Sequence, residues 1–267
     1  MDKIKTIICK EWAEVFKNRL VLFTVIFMPL FFTALPLIIL YVSSGDSSSE
    51  LNIDELSGEM PAQFTQLCPE DASGGDCMQI FLVTQFMLLF MLTPLIIPVN
   101  IAAYSIVGEK TTHSLEPLLA TPITTAELLI GKNLAAAIPA VVATWIGFGL
   151  YVLGVWIMSS SPYVIQAILA PFWLLAIFAV GPLMAILSVN FSIMVSSRAN
   201  DPRVAEQLSV VVILPLLALF FGQITGLIFI NQQIVLVMGA ILLVVDAIAI
   251  YLAVQLFQRE TILTRWK

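Results

Sequence analysis

Residues 133–197 read NLAAAIPAVVATWIGFGLYVLGVWIMSSSPYVIQAILAPFWLLAIFAVGPLMAILSVNFSIMVSS, 65 residues without one Asp, Glu, Lys or Arg. A helix needs about 20 such residues to cross a ~30 Å hydrocarbon layer. The run is too long for one crossing, and the polar break Ser159-Ser160-Ser161-Pro162 divides it into two. The same reading works outward. Towards the C-terminus, residues 207–257 hold only one charge, Asp246, and Asn231-Gln232-Gln233 splits that piece as well. Towards the N-terminus, residues 20–42 and 80–107 are charge-free. The expected fold is therefore an all-α integral membrane protein with six spans, near 20–42, 80–107, 133–158, 166–195, 207–230 and 234–257.

Composition agrees. Of 267 residues, 60% are hydrophobic and 11% charged, against about 25% charged in an ordinary soluble domain. Mean hydropathy is +1.00. These values exclude a soluble enzyme, a disordered chain and a small disulfide scaffold. Unbroken apolar runs also argue against a membrane β-barrel, whose strands alternate. The first run has no small-residue cleavage site after it, so it is expected to be a retained span rather than a signal peptide. Net charge is −6, which argues against a nucleic-acid partner.

Basic residues set the orientation. Lys3, Lys5, Lys10, Lys17 and Arg19 precede the first span. Lys110 and Lys132 lie between spans 2 and 3, Arg198 and Arg203 between spans 4 and 5. Arg259, Arg265 and Lys267 end the chain. All 12 Lys and Arg thus fall on alternate connections. Both termini are expected in the cytoplasm of a multi-pass protein of the plasma (inner) membrane. The loop 43–79 is expected outside, and it carries eight of the 18 acids. Cys68 and Cys77 share that loop, where oxidation is permitted, and a disulfide between them is expected. Cys9 is expected to be a free thiol.

Within residues 1–19, Ile4, Ile7, Ile8, Trp12, Val15 and Phe16 recur at helical spacing. Lys3, Lys5, Lys10, Glu11, Glu14 and Lys17 take the other positions. This predicts an amphipathic helix lying along the inner membrane surface, with these charges on its polar face. No catalytic constellation is present. His113 is the single histidine, G-x-S-x-G is absent, and no P-loop exists because Gly131-Lys132 runs into Asn133. No metal site and no bound cofactor are expected. Work against a gradient must then draw on an ion gradient or on a partner ATPase.

The longest inner connection, 108–132, reads GEKTTHSLEPLLATPITTAELLIGK. Thr124-Thr125-Ala126-Glu127 fits a capping box that starts a helix running into span 3. Upstream, Ser114-Leu115-Glu116-Pro117-Leu118-Leu119 offers leucines and an acid on a short helical piece suited to docking a partner. The segment resembles the hallmark of ABC-2-type transporter permeases, E-[KR]-x-x-G-[ST]-L-E-x-L-L-x-[ST]-P-x-[ST]-x-x-E-[IL]-x-x-G-K. Glu109, Lys110, Ser114, Leu115, Glu116, Leu118, Leu119, Thr121, Pro122, Thr124, Glu127, Leu128, Gly131 and Lys132 match. His113 stands where the family usually has glycine, and places a titratable group near the docking surface. The resemblance implies a permease subunit of an ATP-driven exporter. It implies pairing with a second permease copy, as a homodimer or a related heterodimer. It also implies separate ABC ATPase subunits that hold ATP and Mg, with a cytoplasmic coupling helix between spans 2 and 3. The coupling residues would be Glu109, Lys110, His113, Leu115, Glu116, Leu118, Leu119, Pro122, Glu127 and Lys132.

Polar residues inside the spans are candidates for a translocation path: Gln85, Asn100, Asn190, Gln223 and Asp246. A carboxylate at the depth of Asp246 costs about 2.5–3.5 kcal/mol on insertion scales, so it should face protein or water. Each amide also suits plain interhelical hydrogen bonding. Pro94 and Pro98 should kink span 2, and Gly222-x-x-x-Gly226 offers a close helix contact. The alternative function is a gradient-driven transporter or channel with Asp246 as its ion site.

Overall fold

The computed structural model describes residues 2–44, 74–111, 124–159, 161–199, 201–228 and 230–256. Among them there is no strand, and six helical stretches are long and apolar enough to cross a membrane. The N-terminal helix α1 is Asp2–Val15 and the first span is α2, Arg19–Ser44. Span 2 is two helices, α3 (Gly74–Phe90) and α4 (Thr93–Thr111). Span 3 is one helix, α5, Thr125–Met158. Span 4 comprises α6 (Pro162–Ile168), α7 (Pro171–Leu175), a π turn at Ala176–Val180 and α8 (Gly181–Ser196). Span 5 comprises α9 (Pro202–Ser209), a 3-10 turn at Val210–Ile213 and α10 (Leu214–Ile224). Span 6 is α11, Gln232–Leu256.

Prolines explain most of the breaks. A proline inside a helix has no N–H for the carbonyl four residues back. Pro94 deprives Phe90 in this way, and span 2 breaks there, with Leu92 N–H turning to Leu89 O at 2.9 Å. Pro98, one turn later, stays inside α4. The π turn in span 4 ends just before Pro182, with Gly181 N–H reaching five residues back to Ala176 O. Such a wide turn is a common way to absorb a helix irregularity. Pro171 and Pro202 occupy first-turn positions, where a missing N–H costs nothing.

Span 2 is the axis of the bundle and the most buried span. Its inner half packs on α8, where Ser188 Oγ donates to Leu95 O and Ser192 Oγ to Val99 O. Small hydroxyl residues let two helices approach closely in lipid. Gly147 and Gly154 do the same between α5 and α2. A Cβ on Gly147 would stand 3.0 Å from Pro29 Cβ, and one on Gly154 would run into Leu37. Span 6 touches the bundle along one line, Val235, Asp246, Ala249 and Ala253, and leaves its other faces to lipid.

The Gly222–Gly226 pair has another role than the expected interhelical contact. Gly226 has φ 72° and ends α10. Its N–H donates to Gln223 O at 3.0 Å, and Leu227 N–H to Gly222 O at 2.9 Å. This is a Schellman cap, in which the left-handed residue after the helix is usually glycine. Ile228 folds back over Gly222, so the contact is within one helix end.

Candidate functional site

Glu127 begins α5 as expected. Thr124 N–H donates to Glu127 Oε2 at 2.9 Å, and Glu127 N–H to Thr124 Oγ1 at 3.2 Å. Both orphan donors of the helix start are thereby satisfied. One turn further in, Lys132 faces inward with 5% exposure. Its Nζ donates to Glu11 Oε1 at 2.7 Å and to Ser105 Oγ at 2.8 Å. It also lies 2.8 Å from Glu109 Oε2. Glu109 in turn accepts from Lys10, and Glu11 accepts from Ser105. Glu11, Glu109 and Lys132 therefore form a buried cluster, and the partly exposed Lys10 closes it on the solvent side, where it also pairs with Glu14.

The cluster has three sources. Glu109 and Ser105 are one turn apart on α4, at the C-terminal end of span 2. Lys132 is on α5, at the N-terminal start of span 3. Lys10 and Glu11 come from α1. Glu109 and Lys132 flank the expected coupling segment, so its two ends are pinned to each other. Leu115, Glu116, Leu118, Leu119, Pro122 and His113 lie outside the described residues, as does Cys68. Lys110 belongs to α4, but its side chain is likewise outside them. Cys77, near the start of α3, is disulfide-bonded, and Cys9 is free.

Helix α1 differs from the amphipathic expectation in one respect. Its deepest line is Ile7, Glu11 and Val15, spaced four apart, with 5%, 2% and 5% exposure. Phe16, expected on the apolar stripe, is 41% exposed. Glu11, expected on the charged face, is buried because Lys132 and Ser105 satisfy it. Its carboxyl is held below the usual carboxylate range. Burial alone would raise it, and the charge and hydrogen bond of Lys132, with Ser105 and Lys10, more than offset that. Lys10 is held above the usual lysine range. Partial burial opposes this, and the hydrogen bond and charge of Glu109, with Glu11 and Glu14, outweigh it. Spacing held the signal, since Glu11 sits midway on the Ile7–Val15 line; its charge concealed it.

The span candidates do not converge on one point. Asn190 Oδ1 accepts from Asn133 Nδ2 at 2.7 Å, and Asn190 Nδ2 donates to Ile186 O at 2.9 Å. Asn100 Nδ2 donates to Ile96 O at 3.2 Å. Asn190 is thus engaged through both its oxygen and its nitrogen, whereas Asn100 Oδ1 is buried and unpartnered among the described residues. Gln85 and Asp246 are buried with both terminal atoms unpartnered among the described residues, and Gln223 Oε1 is unpartnered too. Among the described residues no group of His, Cys, Asp and Glu is arranged to hold a metal.

The chain has six helical stretches fit to cross a membrane and a charge cluster that joins the ends of the second and third, and the sequence matches a family described as "ABC-2 family transporter protein" over residues 5–234. The chain belongs to the ABC-2 transporter family. No curated protein matches it. Membership makes it a permease subunit of an ABC transporter, a multi-pass membrane protein whose partner is an ABC ATPase. The match begins at Lys5, so α1 lies within the ABC-2 region rather than outside it. Every element of the charge cluster falls inside the matched residues.

Proposed function

We propose that this ABC-2 permease is half of an exporter. It pairs with a second permease copy, identical or related, and the coupling segment 108–132 docks on a separate ATPase subunit that holds ATP and Mg. The carrying observation is the Glu109–Lys132 ion pair at 2.8 Å. A push on the segment between these residues is delivered to spans 2 and 3 together, because its two ends are joined. In this reading both termini and the cluster face the cytoplasm of the plasma (inner) membrane, and the acidic loop 43–79 lies outside.

Gln85 and Asp246 are the best-placed path residues, because their polar atoms are not engaged elsewhere among the described residues. A buried carboxylate without a protein partner suits a polar or cationic group passing through the bundle.

The test is a co-purified permease–ATPase complex in lipid nanodiscs. Leu118→Asp puts a charge into the expected apolar docking contact, at a cost of several kcal/mol if buried there. The complex should dissociate, or hydrolyse ATP without export, while the permease stays abundant. Glu116→Ala should weaken docking by about 1–3 kcal/mol. Full ATP-driven export by both variants would overturn the coupling role of this segment.

A further inference from the structure

We propose that α1 is the fixed counterpart of the inner-connection motif, and that Glu11 is the positioning residue that makes α1, the inner end of span 2 and the inner start of span 3 a single lever. The proposal deepens the coupling reading above and rests on it.

Four motif positions each meet a residue of α1. Glu127 pairs with Lys3 at 3.8 Å, Glu109 with Lys10, and Lys132 with Glu11 at 2.7 Å. Gly131 faces Ile7, whose Cγ2 would be 2.7 Å from a Cβ placed there. Lys3, Ile7 and Glu11 are spaced four apart and share one face of their helix. Glu127 and Gly131 have the same spacing on α5. Trp12 continues the register, its Nε1–H donating to Ala135 O at 2.9 Å. The first turns of α1 and α5 therefore run parallel, in step, from Lys3–Glu127 to Trp12–Ala135.

The contacts divide by what they reach. Ile7 and Trp12 meet α5, and Lys10 meets Glu109 on α4. Glu11 reaches both sides, accepting from Lys132 on α5 and from Ser105 on α4. An anchoring helix needs only apolar residues at its buried line. A carboxylate at the centre of that line, 2% exposed and shared by three elements, adds little net stability over a well-packed apolar residue. What it supplies is a defined relative position. Loss of that position leaves α1 attached to span 3 by its apolar contacts, but no longer locked to span 2 through Glu11.

The experiment uses the permease with its ATPase in nanodiscs, with a fluorescent amino acid genetically placed at Ser159, the outer end of α5. ATP with vanadate should shift its emission in the unsubstituted complex. Glu11→Gln keeps the shape and removes the charge. ATP hydrolysis should persist while the emission shift falls about tenfold, the scale of one hydrogen bond to a charged group. A disulfide between Ile7→Cys and Gly131→Cys, in a Cys9→Ser background, fastens α1 to α5. With Glu11 intact this lock should leave the shift whole, because the two helices move together; in Glu11→Gln it should not restore the shift, because the lost link is the one to span 2.

A lock that abolishes the shift while Glu11 is intact would show that α1 must separate from span 3, and would overturn the proposal. So would a full shift in Glu11→Gln, or a loss that the lock repairs. An unsubstituted complex in which ATP moves nothing would instead overturn the coupling reading beneath it.

Discussion

Ile7 occupies the notch left by the missing side chain of Gly131, with its Cβ 3.0 Å from where a Cβ on residue 131 would stand. The contact is side chain on helix backbone, so α1 cannot retreat without leaving a gap and α5 cannot gain a methyl without pushing. Gly131→Ala should lower the thermal stability of the purified permease by about 1–3 kcal/mol, the usual range for overpacking. Adding Ile7→Ala should recover part of that loss. Additive losses in the double variant would mean that the two residues are not in contact.

Lys132 is the buried cation between two buried carboxylates. Lys132→Met leaves Glu11 and Glu109 facing each other with only Lys10 nearby. Breaking a buried pair by removing one partner typically costs about 3–5 kcal/mol. The variant should unfold at lower temperature, and more so at neutral pH than at pH 4, where protonation relieves the repulsion. A stability equal to that of the unsubstituted permease at pH 7 would refute the cluster.

Glu11 gives the cluster an acid limit. Its carboxyl is held below its ordinary value of 4.5. Its contribution is therefore complete above that value and is lost as the pH falls through the depressed one. Lys10 is held above 10.5, so its contribution is complete below that value and fades as the pH rises further. Between these limits α1 should stay docked with little pH dependence. Amide hydrogen exchange along α1 would show it, with protection falling in acid for the unsubstituted chain. In Glu11→Gln the part of that fall due to Glu11 should vanish.

Gly226 ends α10 in a left-handed conformation. A side chain there costs about 1–2 kcal/mol, so Gly226→Ala should destabilise by that amount and Gly226→Asn by less. Equal stability of all three would remove the cap assignment.

Orientation has its own check. An impermeant thiol reagent on intact cells should label Ser48→Cys and spare Thr112→Cys. The reverse pattern would invert the topology and put the charge cluster outside.

The spans were legible because burial in lipid demands long apolar runs nearly free of charge, and the four such runs of this sequence, two of them split by polar breaks, are present whatever the packing. The cap at Thr124–Glu127 was legible for a similar reason, since a capping box is local. Glu11 was not. Its burial depends on Lys132 and Ser105, which are far away in sequence, and charge alone placed it with the solvent. Gly226 misled in the other direction. A G-x-x-x-G spacing looks the same whether it lies within a span or at its end, and only the positive φ separates the two. The break at Pro94 was expected as a kink and is an interruption, because Met91 and Leu92 leave the helix ahead of the proline.

That interruption divides span 2 into two rods with a joint between them. The outer rod begins beside Cys77, which is held by its disulfide, and the inner rod ends in Glu109. In the proposed orientation, torque applied at the cytoplasmic rim would meet this joint partway across the membrane, and would turn the half that carries Glu109 before the half moored at Cys77.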